Sequence, residues 1–192
     1  MKSIQLNAFK KLVYKNPKNF LIQLSKLEHD LALEQWPAKL RTLRTNSLNE
    51  WRELREAALF CYFMGERIGT PVYLAKDESQ DYDFVAAWVT GDITNYAPVQ
   101  LKEIPPQSVN REASLESQIS KLSRKYADSI DLVIAIHLNQ RCSFDPTKLR
   151  IPSLAVAGLW IFGFISPNEN TWGLWGDFLE TPTGTKHQYP TQ

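Results

Sequence analysis

A chain of 192 residues that is 43% hydrophobic and 11% aromatic can bury a sizeable core, as one domain or one domain with an appendage, and is not disordered by composition. Its net charge of +1 divides unevenly: residues 1–49 hold nine Lys/Arg against three acids, +6, and the remainder holds 13 against 18, −5. A basic arm on a mildly acidic body fits a polyanionic partner gripped mainly by the arm, and equally fits a solvated helix surface. Cys61 and Cys142 lie far apart without CxxC spacing, which indicates two reduced thiols rather than a disulfide framework or zinc site. The longest apolar run, Leu154 to Ile165, has 12 residues and is too short to span a bilayer. No continuous apolar segment of the signal-peptide kind opens the chain, so a cytoplasmic protein without a membrane anchor is expected.

In chain order, residues 4–45 read as helix, interrupted at Asn16-Pro17 and Trp36-Pro37, with Phe20, Leu21, Leu24, Leu27 and Leu31 at helical spacing. This basic extension, residues 1–47, is expected as a helical subdomain or a layer on the core. Ser47 with Glu50 forms a capping-box signature for a helix from Leu48 to about Gly65, whose interior Ala57 to Met64 is apolar nearly all round. Val72 to Ala75 reads as a short strand. Phe84 to Val89 and Val99 to Lys102 read as a hairpin, with Gly91-Asp92 and Asn95 to Pro98 supplying the turn. Pro105-Pro106 closes the hairpin's second strand, and Ser114 to about Ser129 is an amphipathic helix with Leu115, Ile119, Leu122 and Tyr126 on one face. Asp131 to Leu138 is a strand covered on both faces, Leu159 to Ile165 is the last strand, and a Trp/Gly-rich tail follows.

From Leu48 the order is therefore helix, three strands, helix, two strands, which implies an α/β sandwich with a mixed sheet. Three polar positions fall on these elements. Glu56 abuts the apolar run of the first helix, with Glu53 as its competitor and Arg52 as a pairing partner at i−4. Asp83 opens the second strand beside an acidic stretch, and Gln100 and Lys102 share one face of the third. If the two strands pair, an acid, an amide and an ammonium converge.

This order and these residues resemble the PD-(D/E)xK nucleases, a superfamily of restriction enzymes and Holliday-junction resolvases. The resemblance covers roughly residues 48–140: Glu56 in REAALFCYF, Asp83 in DYDFV, and Gln100-Leu101-Lys102 in place of (D/E)xK. It implies a restriction-endonuclease-like three-layer α/β core over residues 48–192 and a metal-dependent DNA endonuclease activity. Catalysis would rest on Glu56, Asp83, Gln100 and Lys102, with Mg²⁺ or Mn²⁺ held by Glu56, Asp83, the Gln100 amide oxygen and the Leu101 carbonyl. Such an ion makes water nucleophilic and offsets charge at phosphorus, and Lys102 would orient the water or stabilise the charge. Gln100 departs from the usual acid; with one carboxylate fewer, weaker Mg²⁺ binding or a preference for Mn²⁺ follows. Nucleic acid, DNA above RNA, is the implied partner, and cutting two strands would favour a homodimer.

Each residue also has a plain structural reading. Asp83 can end a loop, Lys102 can guard a strand edge, Asp92 is a turn residue, and His137 ends an apolar strand. Gln118, Lys121 and Lys125 read as a solvated helix face, and Trp160, Trp172 and Trp175 as packing residues rather than base-stacking ones. The rival function, favoured by Gln100 and the near-neutral charge, is a nuclease-like fold without catalysis that binds nucleic acid or protein. An unrelated α/β protein with a chance motif is a third reading.

Overall fold

The structure, a computed structural model, describes residues 3–31, 35, 37, 45, 48–77, 82–126, 129–166 and 170–191. Among the described residues three helices come first: α1 (Ser3–Phe9), α2 (Pro17–Asp30) and α3 (Asn49–Ile68). The break before α2 falls where proline demands it. Asn16 is the extended N-cap, its side chain accepts from the Asn19 N–H, and Pro17 fills the first turn, where its missing N–H costs nothing. Trp36 of the second expected break, the helix expected over 38–44, and Ser47 of the capping box lie outside the described residues. Leu48 stands at the N-cap of α3 without a side-chain hydrogen bond, and Gly69 closes the helix in the left-handed region at φ 72°.

Seven strands cross one mixed sheet in chain order: β1 (Tyr73–Ala75), β2 (Phe84–Thr90), β3 (Ile93–Ile104), β4 (Ser129–Leu138), β5 (Val156–Ser166), β6 (Thr171–Gly176) and β7 (Thr183–Gln188). The first three form an antiparallel meander. Helix α4 (Leu115–Lys125), capped by Ser114, then carries the chain over so that β4 lies parallel to β3, and β5 is parallel to β4. The fold is mixed α/β, with the expected order of helix, three strands, helix and strand.

Two readings of the sequence change. The turn between β2 and β3 is Gly91-Asp92 alone, and Asn95 to Pro98 belong to β3, Pro98 opposite Val85. Strand β4 joins β3 only from Val99 onward, so Pro98 sits where β3 has a single partner strand and a missing N–H is tolerated. The tail is not a tail but the antiparallel pair β6 and β7. Gly173 makes this possible, because a Cβ there would collide with the Trp175 ring.

Side-chain alternation divides the core in two. One face, under α3, gathers Leu59, Phe60, Phe63, Phe84, Val99, Leu101, Ala135 and Phe162. The other, under α4, gathers Val85, Ile104, Leu115, Ile119, Leu122, Ile134, Ile136 and Ile161. The N-terminal helices join both, with Phe9 in the α4-side core and Leu21 in the α3-side core, each fully buried. All three tail tryptophans pack against these cores. Cys61 is buried and Cys142 exposed, and both thiols are free. No described helix is long and apolar enough to cross a membrane.

The two sheet edges are held in different ways. At β1 the backbone of Lys15 exchanges two hydrogen bonds with Leu74, of 2.8 and 3.1 Å. At the far edge the C-terminal turn of α3 holds β6 and β7: Arg67 donates to the Gly176 carbonyl at 3.0 Å and to Thr183, and Glu66 lies 2.7 Å from His187 Nδ1. Phe63 stacks on the His187 ring at 5.0 Å and packs on Trp172, with no exposed surface of its own. Phe63→Ala therefore opens a cavity between helix and sheet and is expected to cost about 3–5 kcal/mol, read as a lowered urea midpoint at unchanged slope.

Candidate metal centre

The parallel register of β3 and β4 pairs Glu103 with His137. Both residues share the side-chain parity of Leu101 and Ala135, so both face α3. From that helix Glu56 points down to meet them. His137 Nδ1 is 3.3 Å from Glu56 Oε1, and one ligand atom from each of Glu56, Glu103 and His137 lies within 4.8 Å of the others. Arg52, one turn before Glu56, spans the two carboxylates, with Nε 4.0 Å from Glu56 and Nη1 3.8 Å from Glu103. Asn139 Nδ2 donates to Glu103 Oε1 at 2.7 Å and fixes that carboxylate. Phe162 stacks on the His137 ring at 4.9 Å and 12°, holding its orientation.

Glu56 is 5% exposed and His137 7%. Glu56 Oε1, His137 Nδ1 and Arg52 Nε are all buried, and none has a hydrogen-bond partner. Unsatisfied buried polar atoms cost on the order of 1–3 kcal/mol each, more when charged, so three facing one another call for explanation. Two carboxylate oxygens and an imidazole nitrogen at this spacing could hold a metal ion. Arg52 already supplies part of the same counter-charge.

Two members of the group, Glu56 and His137, line a cleft of about 820 Å³. Arg52, Arg55 and Arg141 line it, and Phe164 and Trp172 form a wall. Of these arginines, Arg55 is held by Glu28 at 2.8 Å and Arg52 lies against Glu56 and Glu103, while Arg141 is exposed on the lining.

No protein-family model, curated protein or solved structure matches this chain.

The residues singled out in the sequence divide between two places. Asp83 and Gln100 do meet at the end of the hairpin, as pairing of β2 with β3 requires. Asp83 Oδ2 accepts from the Leu101 N–H at 2.6 Å and from the Gln100 amide. Tyr126 donates to Gln100 Oε1 at 3.0 Å, and the Leu101 carbonyl accepts from Gln100 Nε2 at 3.3 Å. Both oxygens expected to hold a metal are thus engaged within the fold. Lys102, on the same face as Gln100, lies 5.9 Å from the centre of the Tyr126 ring, as does Lys125 at 5.2 Å. Gln100 and Lys102 share the α4 side of the sheet, Glu56 the α3 side, so the four do not form one cluster. Helix α4, with Gln118, Lys121 and Lys125, lies across the sheet from the cleft.

Glu103 was not among the residues the sequence singled out, and His137 read only as a strand-end histidine. The available signal was parity: Glu103 falls in step with buried Val99 and Leu101, and His137 in step with Ala135. Glu53 stands beside Asp83, and its carboxyl is pushed above its usual range, first by burial and then by the Asp83 charge.

Two outcomes follow. Asp83→Ala strands the Leu101 N–H and the Gln100 amide and is expected to cost about 1–3 kcal/mol by urea denaturation. Glu53→Gln tests the raised carboxyl. A folded-state value above the unfolded one gives stability below the unfolded value that is lost as pH rises through the folded one. The variant should therefore melt above the native protein at pH 7, with the difference closing towards pH 4.

Proposed function

We propose that the protein is a metal-dependent phosphodiesterase acting on nucleic acid, DNA foremost, built on a restriction-endonuclease-like core, with Glu56, Glu103 and His137 as the metal ligands. One observation carries the reading: a Glu–Glu–His group in which Glu56 Oε1 and His137 Nδ1 are buried without hydrogen-bond partners, both residues lining a cleft that also holds three arginines. The order of helix, meander, crossover helix and parallel strand supports the core.

A divalent cation bound there would polarise a phosphoryl oxygen and lower the pKa of a water. The chain's own groups supply the rest. Glu56 and Glu103 are hard oxygen donors, and His137 is a nitrogen donor that moves the preference from Mg²⁺ towards Mn²⁺ or Zn²⁺. Asn139 orients Glu103 and Phe162 orients His137. Arg52 balances the carboxylates and stands where charge builds on a phosphoryl group, the role the resemblance gave to Lys102. Asp83, Gln100 and Tyr126 pin the end of the hairpin.

A second reading has its own support. Because Arg52 lies within 4.0 Å of both carboxylates, the site is partly neutralised without a metal, which suits a module that binds nucleic acid or protein and does not cut.

Calorimetric titration with Mn²⁺, Zn²⁺ and Mg²⁺, beside cleavage of plasmid and oligonucleotides, separates them. One Mn²⁺ or Zn²⁺ site is expected, weakened by about tenfold or more in Glu56→Gln and Glu103→Gln. In Arg52→Gln it should be tightened by about tenfold, since a competing cation is removed. Cleavage should fail in Glu56→Gln and persist in Asp83→Asn at temperatures where that variant is folded. No metal binding by the native protein, with oligonucleotide binding intact, would hand the site to the second reading.

A further inference from the structure

The cleft wall opposite the charged floor is apolar and open. Phe164, near the end of β5, is 44% exposed, and Ile165 beside it is 43% exposed. Both line the cleft. Phe164 packs at 4.8 Å and 45° on Trp172, whose indole is itself stacked towards His137 at 6.0 Å. The result is a connected series of rings: a solvent-facing phenyl, a half-buried indole, and the imidazole of the metal group. An exposed phenyl supported from behind by a second ring is rigid, and burying it gains more than ordering it costs.

The opposite requirement comes from the floor. Glu56 and His137 are 5% and 7% exposed, so a phosphate reaching them must enter the cleft rather than lie across its mouth. A volume of about 820 Å³ is that of a small-ligand site, room for one or two nucleotides but not for a rod with stacked bases inside and phosphates outside. Arg141, exposed on the lining, supplies a cation for a flanking phosphate. An anion beside an exposed aromatic face describes a nucleotide whose base is free of its stack.

We propose, resting on the phosphodiesterase reading, that Phe164 is the platform for an unpaired base next to the phosphate at the metal group, and that the substrate is single-stranded nucleic acid rather than duplex. Stacking is tolerant of base identity because every base has a π-face, so the subsite selects for strandedness and not for sequence. Arg141 positions the neighbouring phosphate without touching the reacting one.

The test is fluorescence anisotropy in EDTA, which keeps binding apart from cleavage, with labelled oligothymidine, oligouridine and a duplex of equal length. Native protein should bind the single strands about tenfold or more tighter than the duplex, and the two single-strand arms separate DNA from RNA. Phe164→Ala should weaken single-strand binding by about tenfold and leave duplex binding unmoved, Phe164→Trp should restore it, and Arg141→Ala should flatten its salt dependence. Because Phe164 is 44% exposed and outside both buried cores, its variants are expected to stay folded with a melting temperature close to native, checked by circular dichroism. Equal affinity for duplex, no binding of either single strand, or unchanged binding in Phe164→Ala overturns the subsite. Strand-selective, Phe164-dependent binding without metal-dependent cleavage keeps the subsite and overturns the phosphodiesterase. Metal-dependent cutting of duplex alone does the reverse.

Discussion

The meeting of Glu103 and His137 under α3 depends on β4 running parallel to β3. A parallel return needs a crossover, and α4 provides it on one face of the sheet, leaving the other to α3. Side chains alternate strictly, so a slip of one residue in β3 would turn Glu103 into the apolar layer of Ile119 and Leu122 and present Lys102 to α3. The apolar pattern forbids that slip. Val99 and Leu101 on one side and Ile104 on the other fix the register, and the carboxylate is carried to its place by its hydrophobic neighbours.

The two faces handle a carboxylate that has lost water in different ways. Asp83 is surrounded by donors that belong to the fold, the Leu101 N–H and the Gln100 amide, with Tyr126 completing the chain. Its charge is dispersed through directed hydrogen bonds, and nothing in that arrangement asks for an ion. Glu56 is answered by proximity alone: a guanidinium at 4.0 Å and an imidazole at 3.3 Å, neither aligned to donate. Charges held near one another without directed bonds are poorly compensated for the water they have lost. The first arrangement suits a fastener, the second a place where partners are exchanged.

Much of the scaffold was legible because it rests on local rules. Asn16-Pro17 marked the start of α2, Ser114 that of α4, and the run from Asp131 to Leu138 a strand covered on both sides. The meeting of Asp83 with Gln100 also followed from hairpin pairing. What local rules could not supply was the register between strands separated by a helix, which alone makes Glu103 and His137 neighbours, and the face on which Glu56 arrives. The motif spacing drew attention to Gln100 and Lys102, whereas parity assigns them to the layer under α4. The tail misled for a related reason: Gly and Trp in TWGLWG read as irregular, yet Gly173 is the space into which the Trp175 ring folds.

The two sheet edges bear on how copies of this molecule can meet. A bare outer strand is a template for continuous pairing between molecules, and here one border is stitched to the Lys15 segment while the other, strand TGTKHQ, is polar, carries a lysine and is anchored from α3. Growth by adding sheet to sheet, the route to swapped and fibrous assemblies, is thereby disfavoured.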